Sequence, residues 1–456
     1  MILPENRLLN KKVAFLSLGC KVNTYETEAI KQQFKSYGAE ICEFDEKADV
    51  YVVNTCTVTN IADRKSRQML RRAKNINPDA VIVATGCYVQ ESSEAVKEEN
   101  TVDVIVGNRL KNKVALFVNE YLGGERKEIF VALSDDMTEY EDMTGLSDYH
   151  RTRVDIKIQD GCNQFCSYCI IPYARGRISS RNKSEILNEV STLASRGYKE
   201  VVLTGIHISS YGLEDYSLKE QADLKLKNGR MPLIELLEEL NSIEGIERIR
   251  IGSFEPRIIT EEFVRRMAEC EKVCPHFHLS LQSGCDSVLK RMNRKYTTGE
   301  YKNACDILRK YYYKPSITTD IIVGFPGETE EEFETTVNFV EEIRFASIHI
   351  FPYSRRAGTV ADRMDGQLTN SVKQDRGRVL GETESILRKK YETSFSGDIK
   401  AILIEEVVEI DGASYCIGHT PEYVSVICHG NEEDINKIVD VKMSDMYLNG
   451  HVFAER

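Results

Sequence analysis

With 456 residues the chain is too long for a single hydrophobic core and suits two or three domains. A hydrophobic fraction of 41% supports globular folding, no apolar run reaches the length of a membrane span, and residues 1–12 do not read as a secretory leader. The net charge of −12 excludes a polycationic nucleic-acid binder, and 13 cysteines in a chain expected in the cytoplasm read as metal ligands, catalytic thiols or small core residues rather than disulfides.

In chain order, apolar runs at 13–16, 50–53 and 81–84 lead directly to Gly19-Cys20, Thr55-Cys56 and Gly86-Cys87. Helix-compatible stretches follow from about Thr24, Ile61 and Gln90, and a fourth run at 102–106 completes an open parallel α/β sheet. Ligands of such sheets bind at the carboxyl ends of the strands, so three thiols distant in sequence converge there. The plainer alternative is a small core cysteine at each tight turn, which is how Cys42 reads.

Residues 125–149 lose apolar periodicity and read as a linker between a first domain at 1–124 and a second at 150–378. Strand-like runs at 154–158, 201–204, 249–251, 277–281, 318–323 and 348–351 alternate with helix-compatible stretches, the pattern of a (βα)6-type partial or complete barrel. Chemistry is expected at its carboxyl mouth, where the first strand runs into Cys162-Asn-Gln-Phe-Cys166-Ser-Tyr-Cys169. Three thiolates at this spacing can bind three irons of a cubane cluster and leave the fourth open for a ligand. Zinc is the rival, but a structural zinc site wants a fourth Cys or His close by and the loop offers none.

This C-x3-C-x2-C loop, with Tyr168 before its last cysteine, resembles the signature of radical S-adenosylmethionine (SAM) enzymes, and the upstream domain with three single cysteines makes the whole chain similar to the methylthiotransferases. The resemblance implies two 4Fe-4S clusters, one on Cys162, Cys166 and Cys169 and an auxiliary one on Cys20, Cys56 and Cys87. It implies SAM beside Tyr168, Gln282, Ser283, Asp320 and Gly324, an adenosyl radical formed by cofactor cleavage, and no separate catalytic side chain. It further implies a flavodoxin- or ferredoxin-type electron donor and partners that assemble clusters and deliver sulfur. At the second barrel strand Thr204-Gly205-Ile206-His207 stands where many radical enzymes have Gly-Gly-Glu, and His207 reads as a hydrogen-bonded structural residue.

The charged stretch from Asn370 to about Thr393 is helix-compatible, with 379–393 expected as a connecting helix, and 394–456 alternates like a small β-barrel. That last segment resembles the TRAM module of tRNA-modifying enzymes, although it carries 12 acidic residues against four Lys and Arg, so RNA contact there would rest on shape or on stacking by Tyr423. Basic residues cluster elsewhere, at Arg64, Arg67, Arg71 and Lys74 on one helical stripe and at Lys290, Arg291, Arg294 and Lys295. Each cluster is either a solvated face or a contact to tRNA phosphates.

The segment Leu18-Gly-Cys20-Lys-Val-Asn23 resembles the branch of the family that modifies N6-threonylcarbamoyladenosine beside the anticodon. The alternatives are the branches for isopentenyladenosine or a ribosomal-protein aspartate and, more distantly, a non-catalytic metal- and RNA-binding protein.

Overall fold

The computed structural model describes residues 5–98, 101–124, 129–130, 139–143, 152–216 and 231–456. In the N-terminal body, strands β1 (Lys12–Ser17), β2 (Glu40–Cys42), β3 (Val50–Thr55), β4 (Val81–Gly86), β5 (Val104–Val106) and β6 (Ile129–Phe130) form one parallel sheet in the order β2-β1-β3-β4-β5-β6. Helices α1 (Lys21–Ser36), α2 (Asn60–Ile76), α3 (Cys87–Glu98) and α4 (Val114–Leu122) cover it. β3 and β4 are buried along their whole length, which accounts for their unbroken Val and Ile runs. The strand order reverses between β1 and β3, so Cys20 and Cys56 flank the switch point and Cys87 lies one strand further on.

The sequence pattern does not reveal β2, an edge strand of only three residues that carries Cys42 half-buried. Most of the expected linker at 125–149 lies outside the described residues, but two described pieces of it belong to the fold. β6 extends the sheet, and the Tyr140 hydroxyl donates to the Lys157 carbonyl at 3.0 Å while Met143 joins the N-terminal core.

The second body is built on β7 (Arg153–Lys157), a short antiparallel pair β8 (Gln159–Asp160) and β9 (Ser179–Ser180), then β10 (Glu200–Thr204), β11 (Arg248–Ile251), β12 (His276–His278), β13 (Ser316–Val323) and β14 (Ser347–Pro352). Its helices are α5 (Ile171–Arg175), α6 (Lys183–Ser195), α7 (Pro232–Asn241), α8 (Glu261–Ala268), α9 (Asp286–Arg291), α10 (Thr298–Tyr311) and α11 (Glu330–Ile343). β11-β10-β7 and β12-β13-β14 are parallel three-stranded sheets joined by single bridges at Ile249 to Val273 and Phe254 to Leu279. Among the described residues β7 and β14 do not pair, so the barrel is partial. Val154, Ile156, Val201, Leu203, Ile249 and Phe277 point outward into the helix-facing core, so the intervening residues line the concave inner face.

Helix α12 (Asn370–Thr393), capped by Thr369 Oγ1 on the Val372 amide, runs unbroken across the division expected at 378/379. It leads into a closed five-stranded barrel, ordered β15 (Ile399–Ile410), β16 (Ala413–His419), β17 (Ser425–His429), β19 (His451–Glu455), β18 (Ile438–Leu448). This small barrel docks beneath the half-barrel. Arg248 donates to the carbonyls of His419 (2.9 Å) and Ala401 (2.8 Å), and Arg250 to that of Pro421 (2.9 Å). Tyr423 does not stand free to stack on RNA. Its ring lies between His276 and His419, at centroid distances of 4.9 and 4.5 Å, with Arg153 and Arg250 over it. No helix among the described residues is long and apolar enough to cross a membrane.

Candidate functional site

The turns that carry the N-terminal thiols are shaped by glycine. Gly19 has φ +98°, and a Cβ there would come 2.7 Å from Cys56 Sγ, so the β1–α1 turn lies directly against that thiol. Gly86 has φ +100° and would place a Cβ 2.4 Å from the Thr55 carbonyl. Asn23 ties two strand ends together, donating to the carbonyls of Leu18 (2.7 Å) and Thr55 (3.0 Å), and Ser66 Oγ braces the Cys56 backbone. Cys20 opens to solvent, whereas Cys56 and Cys87 are buried. Burial pushes the Cys56 thiol up to about 11.

Across the interface, the β8–β9 pair closes the base of the second cysteine loop. Gly161 is required there, since a Cβ would come 1.8 Å from the Arg177 carbonyl. The Cys162 amide donates to the Gly176 carbonyl at 3.1 Å, the Ser167 amide to Met292 at 3.0 Å, and Asn293 Nδ2 to Phe165 at 2.8 Å. Phe165, in the left-handed region at φ +48°, packs edge-on against Tyr173. Burial pushes the Cys162 thiol up to about 12 and raises Cys169 as well. Thiols this reluctant to ionise in the bare protein release protons when a metal binds, so metal loading is coupled to pH.

Both triads fit a cubane better than a single ion. Tetrahedral zinc holds its sulfurs about 3.8 Å apart, but among the described residues the one set of three ligand-type groups within 4.8 Å of one another is His278, Asp320 and His349, not a cysteine set. Each triad also has a sulfur that accepts an N–H from an arginine, fully buried for Arg175 and half-buried for Arg294. Arg175 Nε lies 3.2 Å from Cys87 Sγ and Arg294 Nη1 lies 3.2 Å from Cys166 Sγ. Such contacts would offset the negative charge of iron held by these thiolates.

Arg175 reaches Cys87 from α5, on the other body. It also donates to Glu26 (2.9 Å), Asn23 (2.5 Å) and Asp160 (3.2 Å), and Glu26 is paired in addition with Lys111 and Lys157, all fully buried. These cations hold the Glu26 carboxyl well below the usual carboxylate range despite its burial. Asn108 joins the same seam, donating to the Ala174 carbonyl at 2.6 Å. A second clasp lies beside Cys56, where Arg356 donates to Thr57 Oγ1 at 2.6 Å and pairs with Asp63. Sequence reasoning gave neither arginine a role. The available signal was the charge of Arg175 directly after the apolar run 170–174, which calls for a partner if that run is buried.

At the barrel mouth Tyr168 packs edge-on against Phe325 at 6.4 Å. Gln282 is held at φ +71° by its amide to the Asp320 carbonyl (2.8 Å) and its carbonyl to the Ile322 amide (2.9 Å). Gly324, at φ +72°, donates to Glu328 Oε2 at 2.7 Å, and a Cβ would come 2.4 Å from the Lys373 side chain. Ser283 differs from expectation. It is fully buried with Oγ 3.3 Å from Thr336 Oγ1 on α11, so its hydroxyl faces the helix layer and not the mouth. Asp320 lies deeper, on the inner face beside His278. His207 is hydrogen-bonded, with Nδ1 2.7 Å from Ser210 Oγ and its amide donating to Gln159 Oε1.

The basic clusters divide. Arg64, Arg71, Lys290 and Lys295 are exposed. Arg67 lies against Tyr88 (3.2 Å to the hydroxyl), Lys74 bonds the Ala80 carbonyl and Arg291 pairs with Glu332. Arg294 leaves the expected phosphate-binding set, because its guanidinium is turned inward to Cys166, the Ser280 carbonyl and the Tyr296 hydroxyl.

Two family models match the chain, Radical SAM superfamily over residues 156–340 and Uncharacterized protein family UPF0004 over residues 12–107. The chain is 42% identical to "Threonylcarbamoyladenosine tRNA methylthiotransferase MtaB" of Bacillus subtilis (strain 168), covering 94% of this chain and 93% of that protein. It is 35% identical to "tRNA-2-methylthio-N(6)-dimethylallyladenosine synthase" of Thermoanaerobacter sp. (strain X514), covering 97% and 92%. Among solved structures, the radical SAM methyltransferase TsrM of Kitasatospora setae superposes with a TM-score of 0.57 at 15% identity over 77% of this chain and 74% of that one, a likeness of fold.

Proposed function

The chain belongs to the MtaB-type methylthiotransferases within the radical SAM enzymes, and from that premise we propose that it converts N6-threonylcarbamoyladenosine of tRNA to its 2-methylthio derivative. It is a radical SAM tRNA methylthiotransferase, with an iron–sulfur cluster and SAM as cofactors. The observation that supports the further reading of two clusters is that Arg175, from the helix that follows the second cysteine loop, bonds Cys87 of the N-terminal triad.

Cys162, Cys166 and Cys169 hold the first cluster in this reading, and Cys20, Cys56 and Cys87 the second. When bound, the first supplies the electron that cleaves SAM and the second supplies sulfur for insertion. The protein's own contribution is positional. Gln282, locked by backbone pairing to β13, and Gly324, which admits no side chain, set the rim above Asp320, and Tyr168 backs the first triad. The Arg175 seam ties the turn that follows Cys20 to the half-barrel, which supports a reading in which both triads serve one substrate. Exposed Arg64, Arg71, Lys290 and Lys295 supply phosphate contacts for tRNA, which offsets the objection raised by an acidic chain. A flavodoxin- or ferredoxin-type donor and sulfur-delivery partners complete the reading.

The test is nucleoside mass spectrometry after incubating reconstituted enzyme with tRNA carrying either adenosine derivative. Methylthiolation at C2 of threonylcarbamoyladenosine alone is expected. Equal turnover of the isopentenyl substrate overturns the substrate assignment.

A further inference from the structure

The end of the half-barrel opposite its mouth carries a basic groove that no part of the proposed reaction uses. Helices α10, α11 and α12 all finish there, at Tyr311, Ile343 and Thr393, and a cavity of about 780 Å³ opens beside their last turns. Pro315 lies on its wall immediately before β13, whose eight residues put the groove about 25 Å from Gly324 at the mouth. Four cations line it, Arg309, Lys314, Arg344 and Lys390, against a single carboxylate, Glu341. Its floor is apolar, with Leu387 buried and Ile386 left 57% exposed.

Cations at helix carboxyl ends ordinarily offset the helix dipole, and this accounts for two of the four. Arg309 donates to the carbonyls of Ile343 and Arg344, and Lys314 donates to the Ser394 carbonyl at 2.7 Å and to Asp398 at 3.1 Å. Arg344 and Lys390 are different. Both are exposed, and among the described residues neither side chain has a hydrogen-bond or ion-pair partner. Arg344 also holds φ +59° as the C-cap of α11, a left-handed position usually filled by glycine. Tyr313 stands between two residues of the cavity wall and is 68% exposed, with Lys314 4.8 Å from its ring centroid and Lys400 of the small barrel 5.9 Å away. An exposed ring among cations suits an unpaired nucleotide, which stacks its base and places its phosphate.

We propose that this groove holds an unpaired nucleotide of the bound tRNA that lies outside the anticodon loop, with its phosphate on Arg344 and Lys390 and a base against Tyr313. The proposal rests on tRNA as the substrate. Charge and distance select the occupant. Two unspent cations call for an anion, the ring and the apolar floor call for a flat apolar group, and both lie about 25 Å from the mouth that holds the target adenosine. The reacting loop and this groove are therefore filled by different parts of one RNA.

The test measures binding of full-length tRNA and of its isolated anticodon stem-loop to the reconstituted enzyme, to the double variant Arg344→Gln with Lys390→Gln, and to Tyr313→Ala. All three proteins are checked for iron content and for SAM cleavage without RNA, which should not differ. The double variant is expected to bind full-length tRNA roughly 10-fold more weakly at about 150 mM salt and to reduce the slope of log K against log salt by about one to two units. Tyr313→Ala is expected to weaken the same RNA roughly 5- to 10-fold with the slope unchanged, as for a lost stacking contact. Neither variant should alter affinity for the stem-loop. Matching losses for the two RNAs, or no loss for either, overturn the groove. So does AMP binding by the unaltered enzyme that the double variant loses while full-length tRNA affinity stays, which would make the groove a site for a free nucleotide. If the unaltered enzyme binds neither RNA, the tRNA reading itself fails, a result distinct from these.

Discussion

Arg175 donates its Nε–H to Cys87 Sγ at 3.2 Å although the two residues belong to different bodies of the protein. The thiol site at the end of the N-terminal sheet is therefore completed by a side chain from the half-barrel. An N–H group on a ligand sulfur stabilises the more negative, reduced form of iron bound there.

Arg175→Ala removes a cation bonded to both Glu26 and Asp160 and leaves acceptor atoms of these buried carboxylates, and of Asn23, without their donor. The expected loss of stability is about 3–5 kcal/mol, read from chemical denaturation. Arg175→Lys restores the charge but not the fork, and should keep the fold while shifting the potential of the N-terminal cluster downward in an EPR-monitored titration. An unshifted potential would show that the Nε contact does not act on the cluster.

Replacing Cys162, Cys166 and Cys169 together by alanine should abolish 5′-deoxyadenosine formation. The corresponding replacement of Cys20, Cys56 and Cys87 should leave cleavage in place, remove methylthio transfer, and lower iron from about eight to about four per chain, as one 4Fe-4S cluster remains. Eight irons in the second variant would mean that the N-terminal thiols are ordinary core residues.

The placement of Cys20, Cys56 and Cys87 at one edge of the sheet was legible because each follows a strand whose apolar content marks it as central, and strand ends in a parallel sheet must meet. The edge strand carrying Cys42 was not legible, since three half-exposed residues leave no periodicity to detect. Arg294 was misplaced for a related reason. A basic residue three positions from another looks like a solvated stripe until the chain folds, and only the turn after α9 shows its guanidinium aimed at Cys166. Tyr423 likewise read as a stacking residue for RNA, because its partners His276, Arg153 and Arg250 lie on strands far away in sequence.

Arg64→Ala with Arg71→Ala should weaken tRNA binding evenly across tRNA species. The slope of log K against log salt should shrink by about one to two units, as expected for one or two lost phosphate contacts. Filter binding from 50 to 200 mM salt measures it, and an unchanged slope would assign these arginines to a solvated face.

Tyr423→Ala should loosen the small barrel from the base of the half-barrel, because it removes an aromatic stacked between two imidazoles and faced by two guanidiniums. A loss of about 2 kcal/mol and earlier proteolysis near Ser394 are expected. An effect on tRNA affinity with no loss of stability would contradict this placement.

Burial pushes the Glu141 carboxyl from its ordinary 4.5 up to about 7. Between those values the folded chain holds a proton that the unfolded chain has released, so this residue lowers stability as pH rises, and its penalty is complete above about 7. Glu141→Gln should remove that slope and raise stability at pH 8 by on the order of 2–3 kcal/mol, seen in urea melts across pH. A parallel pH dependence in the variant would refute the assignment.

The pairing of Glu26 with Lys111 from its own body and with Lys157 and Arg175 from the other constrains how such enzymes can be recombined. An N-terminal body grafted onto a foreign half-barrel would carry an acid two of whose three counter-charges, Lys157 and Arg175, reside in the donor left behind, and the mismatch would sit beside Cys87. Chimeras meant to exchange substrate preference are therefore expected to succeed when the crossover preserves both halves of this cluster, and to yield iron-poor, poorly folded protein when it falls between them.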